Sequence, residues 1–443
     1  MNAPHPSRLR ASQGFSARWR CVPWGRLYRV AGWLGVGSLL LLMTRAAPAQ
    51  EALRSSMAGH AAAEARRVRP DALPYTFKSG DLRMLVTPSL GLDWNDNIYT
   101  SKTGEEDDFI LRPELRFNLN YPISQHNLLY LDVGFGYDHY FDHDELSTWR
   151  LRSGSGISFD IYVKDFWINL HDRFQYVQDS AQEAAVANTA QYGTFENTAG
   201  LSVTWDLQDV TLSAGYDHLN VISPENEFES QDRAAELLFA RAGLKVHPRV
   251  LVGLEGSASF TKYEQAYLND NTGYSLGTYA DWQPGAHFRV QPRGGYSLYR
   301  FDQTSRFIEA DDRSSSWYAD LTVTHQPTDI LSYSLSVGHE LRLGVQSDLI
   351  EDTYVRWNAS WGFLKHVTLT TSLAYEHGEQ DNSTAIGNLS ETYDWFGGGV
   401  GLSYAFMKAA SVSLNYRLTL RASDEATREY TQNLIQLQLT YRP

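Results

Sequence analysis

Residues 331–343 read LSYSLSVGHELRL and alternate between apolar and polar side chains over most of their length. The apolar positions include Leu331, Tyr333, Leu335 and Val337, and serines stand between them. Successive side chains of a strand point to opposite faces of a sheet, so this period of two is typical of a strand with one apolar face. The stretch therefore predicts a β-strand.

The same alternation recurs from about residue 83 to the end of the chain. It predicts a protein built almost entirely of strands, about eighteen in number with an error of about two. The predicted strands lie near residues 83–98, 109–121, 128–141, 149–161, 166–177, 195–207, 210–222, 234–246, 250–263, 273–283, 287–300, 315–325, 330–343, 353–364, 367–378, 393–405, 411–422 and 432–442.

The connections between these strands are of two kinds that alternate along the chain. Some are short, such as residues 208–209 and 365–366, whereas others are longer and acidic, such as 102–108 and 179–191. Outer-membrane barrels have short periplasmic turns and longer extracellular loops. The pattern therefore predicts an all-β fold, a transmembrane antiparallel up-and-down β-barrel of 16–18 strands with both termini in the periplasm.

Soluble β-sandwiches, propellers and β-helices also alternate between apolar and polar residues. Their loop lengths need not alternate, and here the polar face carries arginines and acids as well as Ser and Gly. Aromatic residues are also frequent near the predicted strand ends, where a membrane barrel places its interfacial girdles. These features favour the membrane barrel over the soluble alternatives.

The N-terminal segment has the features of a secretory signal peptide. Six arginines precede the apolar run 30–43, and Ala47-Pro48-Ala49 follows it as a cleavage site. The run is shorter than the ~20 apolar residues of a spanning helix. We predict a signal peptide at residues 1–49, with an uncleaved anchor as the alternative. The single cysteine, Cys21, would leave with this peptide, so the mature chain would have no thiol chemistry.

Residues 50–82 are rich in alanine and show no alternation. We predict a periplasmic N-terminal leader here, with a helix near residues 51–67. A periplasmic contact or a plug in the lumen is the alternative to a plain leader. The barrel domain is predicted to occupy residues 83–443.

The net charge of −14 disfavours a nucleic-acid partner, because nucleic-acid binding relies on Lys and Arg that neutralise phosphates. The expected partners are those of any outer-membrane barrel, namely outer-membrane lipid, lipopolysaccharide and the barrel assembly machinery. Acidic loops such as residues 105–108 and 225–229 could bind divalent cations between the protein and lipopolysaccharide, although solvated loops are the simpler interpretation.

Two short motifs support a resemblance to a known family. Asn95-Asp96-Asn97-Ile98-Tyr99 ends the first predicted strand, and Asp107-Asp108-Phe109-Ile110 opens the second after an acidic loop. From about residue 83 onward, the chain resembles the "putative β-barrel porin 2" family and is similar to barrels associated with exopolysaccharide gene clusters. The resemblance implies an outer-membrane porin or conduit, with polysaccharide export components as expected partners. The chain departs from many such barrels by ending in Tyr441-Arg442-Pro443 rather than in an aromatic residue.

If the apolar face of each strand meets lipid, the charged residues of opposite parity face the lumen. Barrels of this size can enclose an aqueous channel, and arginine binds carboxylate or sugar oxygens in a fork. Mutual pairing that braces the wall is an equally weighted interpretation. The pore-lining candidates are Arg112, Glu114, Arg116, Asp132, Arg150, Arg152, Arg173, Glu255, Arg289, Arg293, Asp320, Arg342, Arg356, Arg417 and Arg421, together with Asp138 and Glu376.

The sequence contains no convincing catalytic, metal or cofactor motif. The segment 138–144, DHYFDHD, concentrates acids and histidines, but alternation separates them between two faces and a loop. Gly397-Gly398-Gly399-Val400-Gly401 precedes no predicted helix and is interpreted as close backbone packing or a kink rather than a phosphate cradle. We therefore predict no enzymatic activity, no catalytic or metal-binding residues and no cofactor.

Three functions are left open by the sequence. The first is a passive pore or conduit for polar solutes, with a link to exopolysaccharide export. The second is an occluded barrel that serves as an envelope scaffold or assembly partner. The third is an outer-membrane hydrolase, for which no catalytic group stands out. All three place the protein in the outer membrane of a Gram-negative bacterium.

Overall fold

The computed structural model describes residues 75–124, 126–190, 192–309, 313–383, 387 and 389–442. The predicted signal peptide at residues 1–49 lies outside the described residues, as does the predicted leader as far as residue 74. Within these ranges, no helix is both long enough and apolar enough to cross a membrane.

In the part of the chain that the structure describes, nineteen strands form a single antiparallel sheet, and eighteen of them close into a ring because the last strand pairs with β2. The short β1 pairs with β2 alone. The strands are β1 Phe77–Ser79, β2 Leu82–Asn95, β3 Asp108–Pro122, β4 Leu128–Tyr140, β5 Thr148–Val163, β6 Phe166–Gln178, β7 Gly193–Asp206, β8 Val210–Ile222, β9 Arg233–His247, β10 Val250–Tyr263, β11 Asn271–Gly285, β12 Phe288–Phe301, β13 Ser314–Thr328, β14 Leu331–Leu343, β15 Leu349–Leu364, β16 Val367–Ser383, β17 Leu389–Tyr404, β18 Ala410–Ser423 and β19 Tyr430–Tyr441.

Each of the eighteen predicted strands is present, so the predicted barrel is confirmed. The chain closes where Leu434 of β19 lies opposite Asn95 of β2 and Thr440 opposite Ser89. The additional strand β1 lies inside the predicted leader, which the lack of alternation did not mark as a strand. Three residues are too few for a period of two to be recognised.

The two faces of the sheet differ as the alternation predicts. Large apolar side chains of one parity stay exposed on the outside, and Leu276 and Leu254 keep 71% and 60% of their surface. Outward tryptophans lie near both ends of the strands, such as Trp149 at the loop end and Trp282 at the turn end. An apolar band with aromatic residues at its edges is the surface that a lipid bilayer requires.

As far as the structure describes the chain, eight short turns join the eighteen strands of the ring at one end of the barrel, and the longer loops lie at the other end. Lys164, Gln208 and His366 have positive φ values of 54°, 71° and 70° in three of these turns. Tight hairpin turns need such left-handed residues because their twist matches that of the flanking strands. Short turns therefore mark the periplasmic end, as predicted.

The wall departs from regular pairing near the loop end of β14. Pairing between β13 and β14 ends at Ala319 and His339, whereas β14 continues to Leu343 and pairs there with β15 alone. Leu341 and Leu343 then pack with Tyr299 and Phe301 of β12. Burial of these apolar side chains stabilises this part of the wall, where β14 no longer pairs with β13.

Candidate functional site

The inward face of β2 to β5 carries a chain of ion pairs. The guanidinium of Arg112 lies 2.8 Å from Asp93 and 3.4 Å from Asp138. Arg150 lies 3.3 Å from Asp138 and 3.1 Å from Glu114. Neighbouring strands thus place acid and base alternately, which is the pairing that neutralises charge on a partly buried wall.

Two further pairs extend this network toward the periplasmic end. Arg152 lies 3.1 Å from Glu114, and Arg116 donates from Nε and one terminal nitrogen to the two carboxylate oxygens of Asp132. The Arg152 side chain keeps 46% of its surface and that of Arg116 keeps 34%. These two cations are therefore accessible from the lumen although they are paired.

A second network is centred on Glu255, which is fully buried on β10. Arg241 and Arg293 lie 3.2 Å and 3.0 Å from its carboxylate, and the hydroxyl of Tyr318 donates to it at 3.1 Å. One carboxylate between two arginines leaves a local excess of positive charge. A charge so completely desolvated is tolerated only with such partners.

The remaining candidates on β6 to β13 are paired as well. Arg289 forms an ion pair with Asp281, and Arg173 lies 3.9 Å from Asp217. Asp320 accepts a hydrogen bond of 3.0 Å from the hydroxyl of Tyr354.

The opposite wall, β14 to β18, holds a denser cluster. Arg342 lies 2.7 Å from Glu376 and 3.6 Å from Asp352, and Arg356 lies 3.8 Å from Glu376. Arg421 lies 2.7 Å from Glu391 on the next strand. All members of the predicted set thus lie in contact with a charged or hydrogen-bonding partner, which is the bracing arrangement, and their role as pore-lining residues stays a prediction.

The loop between β6 and β7 enters the barrel, and its described residues, 179–190 and 192, are called here the crossing loop. In the ring of eighteen strands, β15 is nine strands from β6 in either direction. Ala184 and Ala185 of the crossing loop nevertheless pack with Ile350 of β15 and with Tyr393 and Trp395 of β17. The loop therefore spans the lumen and reaches the far wall.

Charged groups fix the crossing loop on that wall. The two terminal nitrogens of Arg417 each donate a hydrogen bond to one carboxylate oxygen of Asp179, at 2.8 Å and 3.1 Å. Glu183 lies 3.2 Å from Arg342, and Arg421 donates to the carbonyl of Ala184 at 2.7 Å. Burial alone would raise the pKa of Asp179, but the charge and hydrogen bonds of Arg417 outweigh it and hold the pKa below its usual value. Asp179 is therefore ionised at neutral pH.

Small side chains allow this close approach. Ala181, Ala184, Ala185 and Val186 keep 1% to 3% of their surface, because each lies directly against another part of the chain. Larger residues would separate the loop from the wall and leave its buried polar groups without partners.

The other long loops pack on the crossing loop and on one another. Val186 and Tyr192 form an apolar cluster with Phe228 and Val345, which belong to two other loops. Asn269, in a fourth loop, donates from its backbone and its side chain to Asp348 at 2.9 Å and 2.7 Å. The extracellular end is thus a packed cap rather than a set of separate solvated loops.

A cavity lies between the crossing loop and the far wall. Its lining includes Ala181, Asn358, Ser372, Trp395 and Arg417. A Cβ atom on Gly397, which also lines the cavity, would lie 2.4 Å from the Trp395 ring. The prediction of close packing in the glycine run at residues 397–401 is therefore confirmed at Gly397, where only glycine lets the indole lie against the strand.

The segment 138–144 is divided as the alternation predicted. Asp138 faces the lumen arginines, whereas His143 lies in the next loop, 2.7 Å from Glu106 and 3.0 Å from Asp108. Among the described residues, no group of three or more His, Cys, Asp or Glu is arranged to hold a metal ion. The predicted cation binding by acidic loops stays a prediction.

Four residues at the crossing loop are not predicted from the sequence: Asp179 and Glu183 anchor the loop, Trp395 packs on it, and Arg428 donates to the carbonyl of Ala185. One signal was present, since the loop contains the run 181–190, AQEAAVANTA, whereas the other long loops are rich in acids. Alanine side chains are small and apolar, so an alanine-rich loop can pack closely against another part of the chain.

Comparisons with known proteins identify the family of the chain. The model of the family "Putative beta-barrel porin 2" matches residues 83–443. No curated protein matches the sequence. Similar solved structures include a BenF-like porin from Pseudomonas fluorescens Pf-5, with 10% identity, coverage of 82% of this chain and 99% of that one and a TM-score of 0.48. OccK2 (OpdF) from Pseudomonas aeruginosa has 12% identity, coverage of 81% and 98% and a TM-score of 0.45. The chain belongs to the "Putative beta-barrel porin 2" family of outer-membrane β-barrels of Gram-negative bacteria.

Proposed function

We propose that this barrel is a porin for small polar solutes whose passage is narrowed by the crossing loop. The observation that carries the proposal is the contact of Ala184 and Ala185 with the wall opposite their own strand. A loop in this position divides the cross-section of the lumen, so a solute must pass beside it. Arg116, Arg152 and Arg289 are the accessible cations that would line this path.

Part of the lumen wall suits neutral hydroxylated solutes. Ser334, Asn358 and Ser372 lie side by side on β14, β15 and β16, and Ser332, Ser360 and Thr370 form the row below them. Hydroxyl and amide groups exchange hydrogen bonds with sugar hydroxyls without the cost of desolvating a charge. This wall supports an extension of the proposal to glycans, including a link to exopolysaccharide export.

Liposome swelling tests the proposal. Vesicles that contain the purified barrel should swell in isotonic monosaccharide faster than protein-free vesicles, and more slowly as the sugar grows to a trisaccharide. Swelling no faster than that of empty vesicles for every sugar would contradict the porin function.

An occluded structural barrel is the second candidate, and the packed extracellular cap favours it. In that case, the ion pairs brace a wall that no solute crosses. A variant in which a Gly-Ser linker replaces residues 180–190 separates the two, because removal of the loop opens a narrowed pore further but leaves a cap formed by the other loops closed.

A further inference from the structure

Arg417 on β18 differs from the arginines around it in where its carboxylate partner lies. Arg342, Arg356 and Arg421 each have a carboxylate partner on the barrel wall itself. Among the described residues, the carboxylate paired with Arg417 is that of Asp179, which belongs to the crossing loop. Its other partner is the neutral amide oxygen of Gln432, at 3.2 Å. Without the crossing loop, Arg417 would present an unpaired cation to the lumen.

The geometry of that contact is the one by which arginine binds carboxylic acids. Two nitrogens of the guanidinium meet two oxygens of Asp179, and this fork arrangement is among the strongest hydrogen-bonded contacts of a charged group. Asp179 therefore occupies the guanidinium of Arg417 in the same way that the carboxylate of a bound solute would.

The cavity beside this pair has the other groups that a small polar acid needs. Trp395 offers an aromatic ring, and Asn358 and Ser372 offer an amide and a hydroxyl. Ligand sites combine apolar or aromatic surface with a few placed polar groups in this way. Arg417 lines the same cavity, so a solute bound there reaches the guanidinium.

We infer that Arg417, Trp395, Asn358 and Ser372 form a subsite for the carboxylate of a hydroxylated organic acid, and that Asp179 occupies the subsite as a tethered competitor when no solute is bound. This inference rests on the proposed porin function, since it names a solute class for the same lumen. The solute carboxylate and Asp179 then exclude each other from Arg417. Binding of a solute therefore releases the start of the crossing loop.

A competitor attached by a short tether acts at an effective concentration of millimolar order, so a solute must exceed this range to displace it. Replacement of Asp179 by asparagine keeps the shape and removes the charge. Because a charge-assisted bond then no longer has to be broken, the apparent Kd for the solute should fall roughly tenfold.

The experiment uses a cysteine at Ala181, which is 1% exposed and lines the cavity. In the full-length chain with Cys21→Ser, A181C should react slowly with an uncharged maleimide. Galacturonate is the probe acid, and galactose is the neutral control of similar size. The labelling rate is measured over a range of each sugar, and its half-maximal concentration gives the apparent Kd.

We expect galacturonate, but not galactose, to accelerate labelling of A181C. In the D179N background the half-maximal galacturonate concentration should fall roughly tenfold, and in the R417Q background the difference between the two sugars should disappear. Glu145→Gln, an exposed loop carboxylate, and Arg300→Gln, an exposed arginine of β12, are the matched controls and should leave both responses unchanged.

Equal responses to galacturonate and galactose in the parent and D179N proteins would overturn the inference, and so would an R417Q protein that still prefers galacturonate. Calorimetry of galacturonate binding to the parent, D179N and R417Q proteins compares the same affinities without an added cysteine. Failure of the inference is distinct from failure of the porin function: vesicles that swell while labelling ignores galacturonate contradict only the subsite, and labelling that responds in a barrel that never swells vesicles contradicts only the porin.

Discussion

Glu183 on the loop after β6 lies 3.2 Å from Arg342 on β14, almost directly across the ring of eighteen strands. Arg342 also holds Glu376 and donates to the hydroxyl of Tyr393 at 3.0 Å, so one guanidinium joins two strands of the wall to the crossing loop. Loss of this guanidinium would therefore remove contacts between wall strands and also the contact between the wall and the loop.

Substitution of Arg342 tests how much these contacts stabilise the barrel. Arg342→Ala should destabilise the barrel by about 3–5 kcal/mol, because it leaves buried carboxylates without their cation. Its side chain is 7% exposed, whereas that of Arg152 is 46% exposed. Arg152→Ala is therefore the matched control and should cost about 1 kcal/mol or less. Urea unfolding in detergent micelles measures both, and equal losses for the two variants would contradict the account.

Glu255 should govern the charge of its part of the lumen. Glu255→Gln removes the carboxylate between Arg241 and Arg293 and leaves two cations in place. The pore should then become more selective for anions, because a fixed positive charge raises the local concentration of anions. The shift of the reversal potential in a salt gradient measures the effect. A shift toward cations would rule out a lumen location for this network.

Gly397 should tolerate no side chain. An added Cβ would approach the Trp395 ring to 2.4 Å, so Gly397→Ala should cost about 1–3 kcal/mol of stability and displace the indole. Gly256 on β10 is the control, because its Cβ would lie at ordinary distances of 3.4 Å and 3.8 Å. The temperature at which the folded band is lost on gels measures the loss of stability, and tryptophan fluorescence measures the displacement of the indole. Equal behaviour of the two variants would show that the close contact is absent.

His143 should give one extracellular loop a dependence on pH. Burial alone would lower its pKa, but hydrogen bonds and charge from Glu106 and Asp108 outweigh burial and raise the pKa above the usual value. A raised folded pKa means that the protonated form is stabilised. The contribution is thus complete below about pH 6.5, the unfolded value, and is lost as the pH rises through the folded value.

Hydrogen exchange of residues 141–147 checks this sign. Protection of the loop should be greater at low pH than at high pH in the parent protein, and His143→Gln should abolish the difference. A histidine resonance that titrates below the usual value would contradict the assignment.

The strands were predictable because alternation is a local property of the sequence. The predicted ends of β8 and β10, residues 210–222 and 250–263, coincide with the structure, since hairpin turns interrupt the period of two at those points. Charged residues such as Arg112 and Glu114 could be placed on the inward face by the same parity.

The crossing loop was not predictable in this way. Asp179 and Arg417 are 238 positions apart, and only closure of the ring brings β18 within reach of the loop that follows β6. Equally, no local pattern shows that β14 leaves β13 after His339, because the alternation continues to Leu343. Sequence periodicity fixes which face a side chain takes, whereas contacts across the lumen depend on the size and closure of the barrel.

Single-channel conductance in a planar bilayer tests most directly the claim that the crossing loop narrows an open pore. The account predicts a steady small conductance for the parent protein and a severalfold larger one when a Gly-Ser linker replaces residues 180–190, with Glu145→Gln unchanged from the parent. A folded barrel that inserts but conducts in neither form, or whose conductance is the same with and without the loop, would contradict it.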